Sequence, residues 1–359
     1  MYKQNICLAV LISAFTVNCF SQGTLAPAQD KHIAYEGRIA FANGAAELMW
    51  PGTSVTIQFE GTGIGGVFKD ADTSNYYNVI IDNGNVYKIH TDTAKKIYTL
   101  AAGLAYGKHT VEVFKRTEWD KGKTWFYGFV IDEKTKLLKP AALPKRKIEF
   151  FGNSISCGYA IEDKTGDSPT GYYENSYDAY AAITARHFNA QLHNTSKSGI
   201  GVMVSWFPLI APEMYNMLDP TDANSKWDFS KYIPDVVVIN LFQNDAWIVN
   251  MHDNAQFKNR FGTTPPTEEH IIESYKNFVQ TIRATYPNAQ IICMLGNMDI
   301  ARKGSSWPGY VQKAVSLIND PKIFTFFMPY KETGGHPKTA EQKVLAQGLI
   351  DFIDKNIKW

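Results

Sequence analysis

The strongest constraint on this chain is a change of rhythm near residue 140. From about Tyr35 to Glu133 the sequence is a series of short runs rich in Val, Ile, Tyr, Phe and Thr, at 55–60, 76–82, 86–90, 96–100, 109–115 and 125–131, punctuated by glycine and asparagine. β-Branched and aromatic residues favour the pleated, half-buried surface of a strand, and Asp82-Asn83-Gly84-Asn85 between two runs is hairpin chemistry. An antiparallel sandwich of roughly a hundred residues is the architecture this spacing predicts. The stretch 136–147, with Pro140, Pro144 and several lysines, breaks the rhythm and reads as a linker. Beyond it come an apolar strand at 147–151, a helix at 177–188, a continuous β-branched run at 236–241 and a helix at 268–285. A strand at 290–295, a helix at 309–318, a strand at 323–327 and a last helix at 339–357 follow, an alternation that calls for buried parallel strands. No internal repeat or low-complexity tract interrupts either half.

The amino terminus has the layout of a secretory signal peptide: Lys3, an apolar stretch from Ile6 to Val17, then small and polar residues. That stretch is too short to span a membrane comfortably. Three segments result: a signal peptide over 1–21, a β-sandwich over 22–143 and an α/β domain over 144–359. A secreted or periplasmic protein is the expectation; Cys19 as a lipid-bearing first residue is the alternative, with Asn18 a poor residue before it. Cleavage removes Lys3 and leaves 35 basic against 35 acidic residues, so nothing in the charge draws nucleic acid or an anionic membrane. Only Cys157 and Cys293 survive cleavage, both in or beside apolar runs. Export would permit a bridge between them, but buried thiols are the commoner outcome.

Chemistry points to the end of the first α/β strand. Phe151-Gly152-Asn153-Ser154-Ile155-Ser156 stands there just before a helix start, at the carboxyl edge where open α/β sheets place their sites. Free amides of a helix start can meet a developing oxyanion. Alone, a Gly-x-Ser turn is usually a cap. Three further blocks follow in order: Lys197-Ser198-Gly199-Ile200-Gly201, Gln243-Asn244-Asp245 and Gly335-His336-Pro337.

Together these resemble the four ordered blocks of SGNH/GDSL hydrolases, whose fold is a flavodoxin-like, three-layer α/β/α domain. Glu174-Asn175-Ser176-Tyr177, Trp227-Asp228-Phe229-Ser230 and the run 234–240 look like family two carbohydrate esterases, which couple an amino-terminal jelly roll to an SGNH domain. The resemblance covers nearly the whole mature chain. It implies that Ser154 attacks an acetyl ester with His336 as general base, and that the oxyanion is met by the Ser154 amide, the Gly199 amide and the Asn244 side chain. Glycine at 199 has an independent reason, close approach of the backbone to substrate. SGNH enzymes commonly carry an aspartate two or three residues before the histidine, where this chain has Gly334 and Thr333. The expectation is therefore a Ser-His dyad with a backbone carbonyl orienting the imidazole, Glu332 being the alternative acceptor. Asn153 in place of the family's aspartate touches a mainly structural residue.

Asn244 and Asp245 read by default as turn residues closing a strand; in this context Asn244 is functional and Asp245 structural. Trp247, Trp206 and Trp307 lie in loops after strand ends and Tyr159 lies close after the nucleophile, so each is a candidate sugar platform with a packing role at least as common. The remaining histidines show no His-Glu-x-x-His pairing and two cysteines cannot build a zinc ribbon, so the sequence implies no metal and no cofactor. Gly61-Thr62-Gly63-Ile64-Gly65-Gly66 imitates a phosphate loop but sits between strands and reads as turns. The expected function is removal of acetyl groups from an acetylated polysaccharide or oligosaccharide of plant type, such as xylan or mannan. A general esterase, lipase or thioesterase on the same fold is the second enzyme reading. A glycan-binding module with an inactive hydrolase domain is the non-enzymatic one.

Overall fold

The computed structural model describes residues 23–140 and 142–359; the signal-peptide expectation lies outside them. Two antiparallel sheets build the first part. One runs in the order Ala40–Ala42, Ala45–Leu48, Thr124–Ile131, Ile64–Asp70, Lys96–Ala101, with Thr24–Pro27 also on Thr124–Ile131. The other runs Lys136–Leu137, Ser54–Gly61, Gly107–Lys115, Tyr76–Ile81, Asn85–His90, with Ile33–Glu36 also on Ser54–Gly61. Their inner faces meet in one core in which Ile57, Phe59, Val79 and Val113 pack with Phe68, Phe126 and Phe129. This is the expected jelly-roll-like sandwich. The hairpin Tyr76–Ile81/Asn85–His90 turns through Asp82 and Asn83 at φ 53° and 57°, the left-handed pair that a tight right-twisted hairpin needs. Two expectations are corrected. Ile64, Gly65 and Gly66 are ladder residues of Ile64–Asp70, because their amides pair with neighbouring strands whatever the side-chain content. The proposed linker also begins late, since Lys136–Leu137 still pairs with Ser54–Gly61.

The second part is a five-stranded parallel sheet in the order Ala190–Ser196, Arg146–Gly152, Val236–Asn240, Gln290–Leu295, Ile323–Phe327. Relative to the chain that is 2-1-3-4-5, the flavodoxin-like arrangement. Alternation along the strands explains the three layers. Val237, Ile239, Ile291 and Cys293 face helices Glu268–Thr285 and Trp307–Ile318, while Ile148, Phe150, Val238 and Ile292 face helices Tyr180–His187 and Thr339–Asn356. Burial on both faces is why these strands read as unbroken apolar runs. Cys157 and Cys293 are free and buried. No helix among the described residues is long and apolar enough to cross a membrane.

The two parts join through buried polar contacts. Arg38 of the sandwich donates to Glu149 at 2.9 Å and to the Tyr215 and Met217 carbonyls at 2.7 Å, with both charged side chains almost wholly enclosed. Trp50 Nε1 donates to the Leu218 carbonyl at 2.7 Å.

Candidate active site

The strand Arg146–Gly152 ends in a residue that has to be glycine, because a Cβ at 152 would lie 2.0 Å from Ser156 Oγ. Asn153 then caps the short helix Ser154–Cys157, its side chain accepting from the Ile155 N–H at 3.1 Å. Ser154 thereby opens a helix at the sheet's carboxyl edge. Its Oγ lies 2.8 Å from His336 Nε2, joining residues 182 positions apart. The ring of Tyr159 packs beside the imidazole, centroids 4.6 Å apart.

The other imidazole nitrogen corrects the dyad expectation. Nδ1 lies 2.8 Å from the Asp167 carboxylate, which also accepts from the His336 backbone N–H at 2.9 Å. Neither a backbone carbonyl nor Glu332 holds that position. Asp167 comes from a loop wound around Asp163, whose carboxylate accepts from the Thr165, Gly166 and Ser168 amides. Close approach depends on Gly335 at φ 68°, where a Cβ would stand 2.9 Å from Asp167 Oδ2. Lys338 completes the clamp, donating to Asp167 at 2.8 Å and to the Gly166 carbonyl at 2.6 Å. Partial burial pushes the Asp167 carboxyl up, but its bonds to His336 and Lys338 outweigh that and hold it well below the usual carboxylate range. Sequence reasoning missed it because it searched next to the histidine. The only signal was a turn-rich Asp-Lys-Thr-Gly-Asp segment shortly after the nucleophile.

Opposite the histidine, Gly199 adopts φ 82° and its carbonyl accepts from the Trp206 N–H at 3.0 Å. A Cβ there would crowd Phe207 at 3.2 Å and Trp206 at 3.3 Å. Among the described residues, neither the Ser154 nor the Gly199 backbone N–H donates to a protein acceptor. Asn244, in the short helix Gln243–Ile248 that follows strand Val236–Asn240, has its amide fixed by two contacts: Oδ1 accepts from Trp206 Nε1 at 3.0 Å and Nδ2 donates to the Ile200 carbonyl at 2.7 Å. One amide hydrogen of Asn244 is left over. Asp245 is structural as expected, accepting from the Val202, Met203 and Val204 amides at 2.9, 2.7 and 3.1 Å. Burial pushes its carboxyl up to about 6 against those donors.

The aromatic candidates separate. Trp206 is 44% exposed and leans on Asn244. Trp247 donates to Asp299 at 2.8 Å and lines two hollows, one of about 250 Å³ with His336, Asp167 and Arg302, the other of about 450 Å³ with Trp307, Tyr310 and Pro266. Trp307 packs edge-on against Phe242 at 5.0 Å. The carboxyl groups of Glu118, Asp120 and Glu174 gather within 4.8 Å of one another, with the Lys121 ammonium bonded to Asp120 at 2.6 Å and to Glu174 at 2.9 Å.

With this geometry in place, likeness to known proteins is informative. Residues 35–140 match the Carbohydrate esterase 2 N-terminal family, and residues 150–321 match the GDSL-like Lipase/Acylhydrolase family. The chain is 32% identical over 340 residues to the cellulase/esterase CelE of Acetivibrio thermocellus, spanning 91% of this chain and 40% of that protein. It is 24% identical to an acetylxylan esterase / glucomannan deacetylase of Cellvibrio japonicus, covering 92% of this chain and 91% of that one. An active-site mutant of a family two carbohydrate esterase from Clostridium thermocellum superposes with a TM-score of 0.81 at 31% identity, covering 92% of this chain and all of that one.

Proposed function

This chain belongs to family two of the carbohydrate esterases, and from that premise we propose that it is an exported deacetylase of plant-type polysaccharides, acting through a serine acyl-enzyme. The observation that carries the reading is the relay from Ser154 Oγ to His336 Nε2 and from Nδ1 to Asp167, both links 2.8 Å. Ser154 attacks the acetyl carbonyl as His336 takes its proton, and the tetrahedral oxygen gathers negative charge. The Ser154 amide, the Gly199 amide and the remaining Asn244 hydrogen meet that charge. His336 then gives the proton to the departing sugar hydroxyl, and water, activated by the same imidazole, releases acetate and frees Ser154. Asp167 holds the imidazole in the tautomer with its lone pair on Nε2 and stabilises the imidazolium. In this reading the expected dyad becomes a triad whose acid comes from a different loop.

Xylan and glucomannan are proposed substrates because a Cellvibrio japonicus relative carries both in its name. Trp247, shared by the two hollows, supports a sugar chain running past the serine, with Trp206, Tyr159 and Trp307 as further contacts. Residues 22–143 and 144–359 are taken as the two domains of the mature protein. The test is acetate release from acetylated xylan and acetylated glucomannan by the wild type and by Ser154→Ala, each with and without chelator. Release that survives chelator and disappears in the variant is the expected result. A wild type inert toward both glycans and toward 4-nitrophenyl acetate would overturn the reading, and a preference for long acyl esters would move it to a lipase.

A further inference from the structure

The connection between sandwich strands Gly107–Lys115 and Thr124–Ile131 leaves its own sheet and reaches beneath the loop that carries Gly199. At its centre Glu118, whose side chain is wholly buried, accepts from the Ser198 backbone N–H at 2.6 Å and from the Ser198 hydroxyl. Its own backbone N–H donates to Glu174 Oε2 at 3.1 Å, anchoring the tip of the connection to the α/β part. The next residue, Trp119, offers its ring face to the Lys197 ammonium at 3.5 Å and meets Phe207 edge-on at 5.9 Å. Phe207 is also the residue nearest to a Cβ placed at 199.

Lys197 and Ser198 are thus gripped by consecutive sandwich residues, while the Gly199 carbonyl is held from the other side by Trp206. The Gly199 N–H belongs to the peptide plane that follows Ser198. Pinning Ser198 at both its backbone amide and its hydroxyl restricts the two dihedrals that aim this plane. We propose that Glu118, supplied by the sandwich, is a positioning residue that aims the Gly199 N–H at the oxyanion, so that the sandwich completes the catalytic centre. This rests on the reading of Gly199 as an oxyanion donor.

The chemistry of the position supports a specific role over filler. Burial, with Glu174 and Asp120 close by, pushes the Glu118 carboxyl well above the usual range. An apolar residue of similar volume would avoid that cost, since buried ionisable groups are often replaceable by apolar ones without loss of stability. Only a side chain that accepts from an amide while engaging a hydroxyl reproduces the grip on Ser198.

The test uses the full chain as wild type, Glu118→Ala and Glu118→Gln, read by 4-nitrophenyl acetate kinetics and by hydrogen exchange at 198–199. Glu118→Ala should lose roughly 10- to 100-fold in kcat with KM within about twofold, the pattern of an interaction made only in the transition state. Its amides at 198–199 should exchange at least about tenfold faster. Glu118→Gln keeps an acceptor for the amide and a partner for the hydroxyl, and should recover to within about threefold of wild type. A folded Glu118→Ala with wild-type kcat and unchanged exchange overturns the proposal. If Glu118→Ala does not fold, Glu118→Asp, which withdraws the carboxyl by one methylene, takes its place under the same criteria. A wild type without esterase activity would instead sink the deacetylase reading, and the exchange data alone would then judge whether Glu118 fixes the loop.

Discussion

The two sides of Ser154 solve opposite electrostatic problems. On the histidine side the proposed mechanism requires the acid to remain a charge, because it would stabilise an imidazolium. Asp167 is built for that: part-exposed, in contact with Lys338, and held far below the usual carboxylate range. On the proposed oxyanion side a free negative charge would oppose the one that develops in that mechanism. There the carboxyl groups of Glu118 and Asp245 are fully buried, pushed upward, and turned onto backbone amides of 198 and 202–204. One side keeps its acid ionised with partners and partial solvation; the other surrounds its acids with protein and spends them on loop geometry.

The contrast is most open to attack at Asp167. Asp167→Asn should lower kcat by about 10²–10⁴ while the protein stays folded, because the amide can favour the wrong imidazole tautomer and carries no charge. A loss below threefold would restore the dyad and remove one side of the comparison. On the other side, Asn244→Ala should lower kcat by about 10²–10³ with little change in KM, the usual effect of deleting one oxyanion donor. An effect confined to KM would make Asn244 a ground-state binder instead. Trp206→Phe sharpens the point: the ring survives but its N–H to Asn244 Oδ1 is lost, which at about 1 kcal/mol predicts roughly a fivefold fall in kcat. Wild-type kcat in that variant would mean that the contact to Ile200 orients the amide unaided.

What could be read beforehand divides along a similar line. Elements whose burial is simple were legible. Helix Glu268–Thr285 and strands Gln290–Leu295 and Ile323–Phe327 fall where the pattern puts them, because the helix offers an apolar stripe to one core and each strand is an apolar run that feeds both. Strand Ala190–Ser196 was not legible, since its buried residues include His193, Asn194, Thr195 and Ser196. Asn194 and Thr195 find their partners across the fold, at the Ser156 carbonyl and Glu149, and Ser196 donates to Asn194 within the strand. The serine, glycine, asparagine and histidine blocks were legible only as an ordered set that resembles the family's own, since each alone is an ordinary turn or cap. Asp167 and Glu118 were not. Asp167 meets its target 169 positions away and Glu118 meets its target 80 positions away, and each does so through a loop whose local sequence records only a turn.

The smallest expected effect tests the electrostatic contrast itself. A carboxyl whose native pKa is depressed contributes stability above its ordinary value and loses it as the pH falls through the native value, which is the case of Asp167. Glu118 has the opposite sign. Above the ordinary glutamate value of 4.5 the unfolded chain releases a proton that the folded chain retains, so its contribution declines as the pH rises toward its raised native value. Glu174 and Asp120 reinforce that rise, while Lys115, Lys121 and Lys197 also face the cluster and remain in the variant. Glu118→Gln has nothing to titrate there. Denaturant unfolding at about pH 5 and about pH 8 should therefore show wild type losing about 1–2 kcal/mol more than Glu118→Gln between the two conditions. Parallel losses would mean that Glu118 is ionised in the folded protein, and that the oxyanion side tolerates the very charge its burial is argued to suppress.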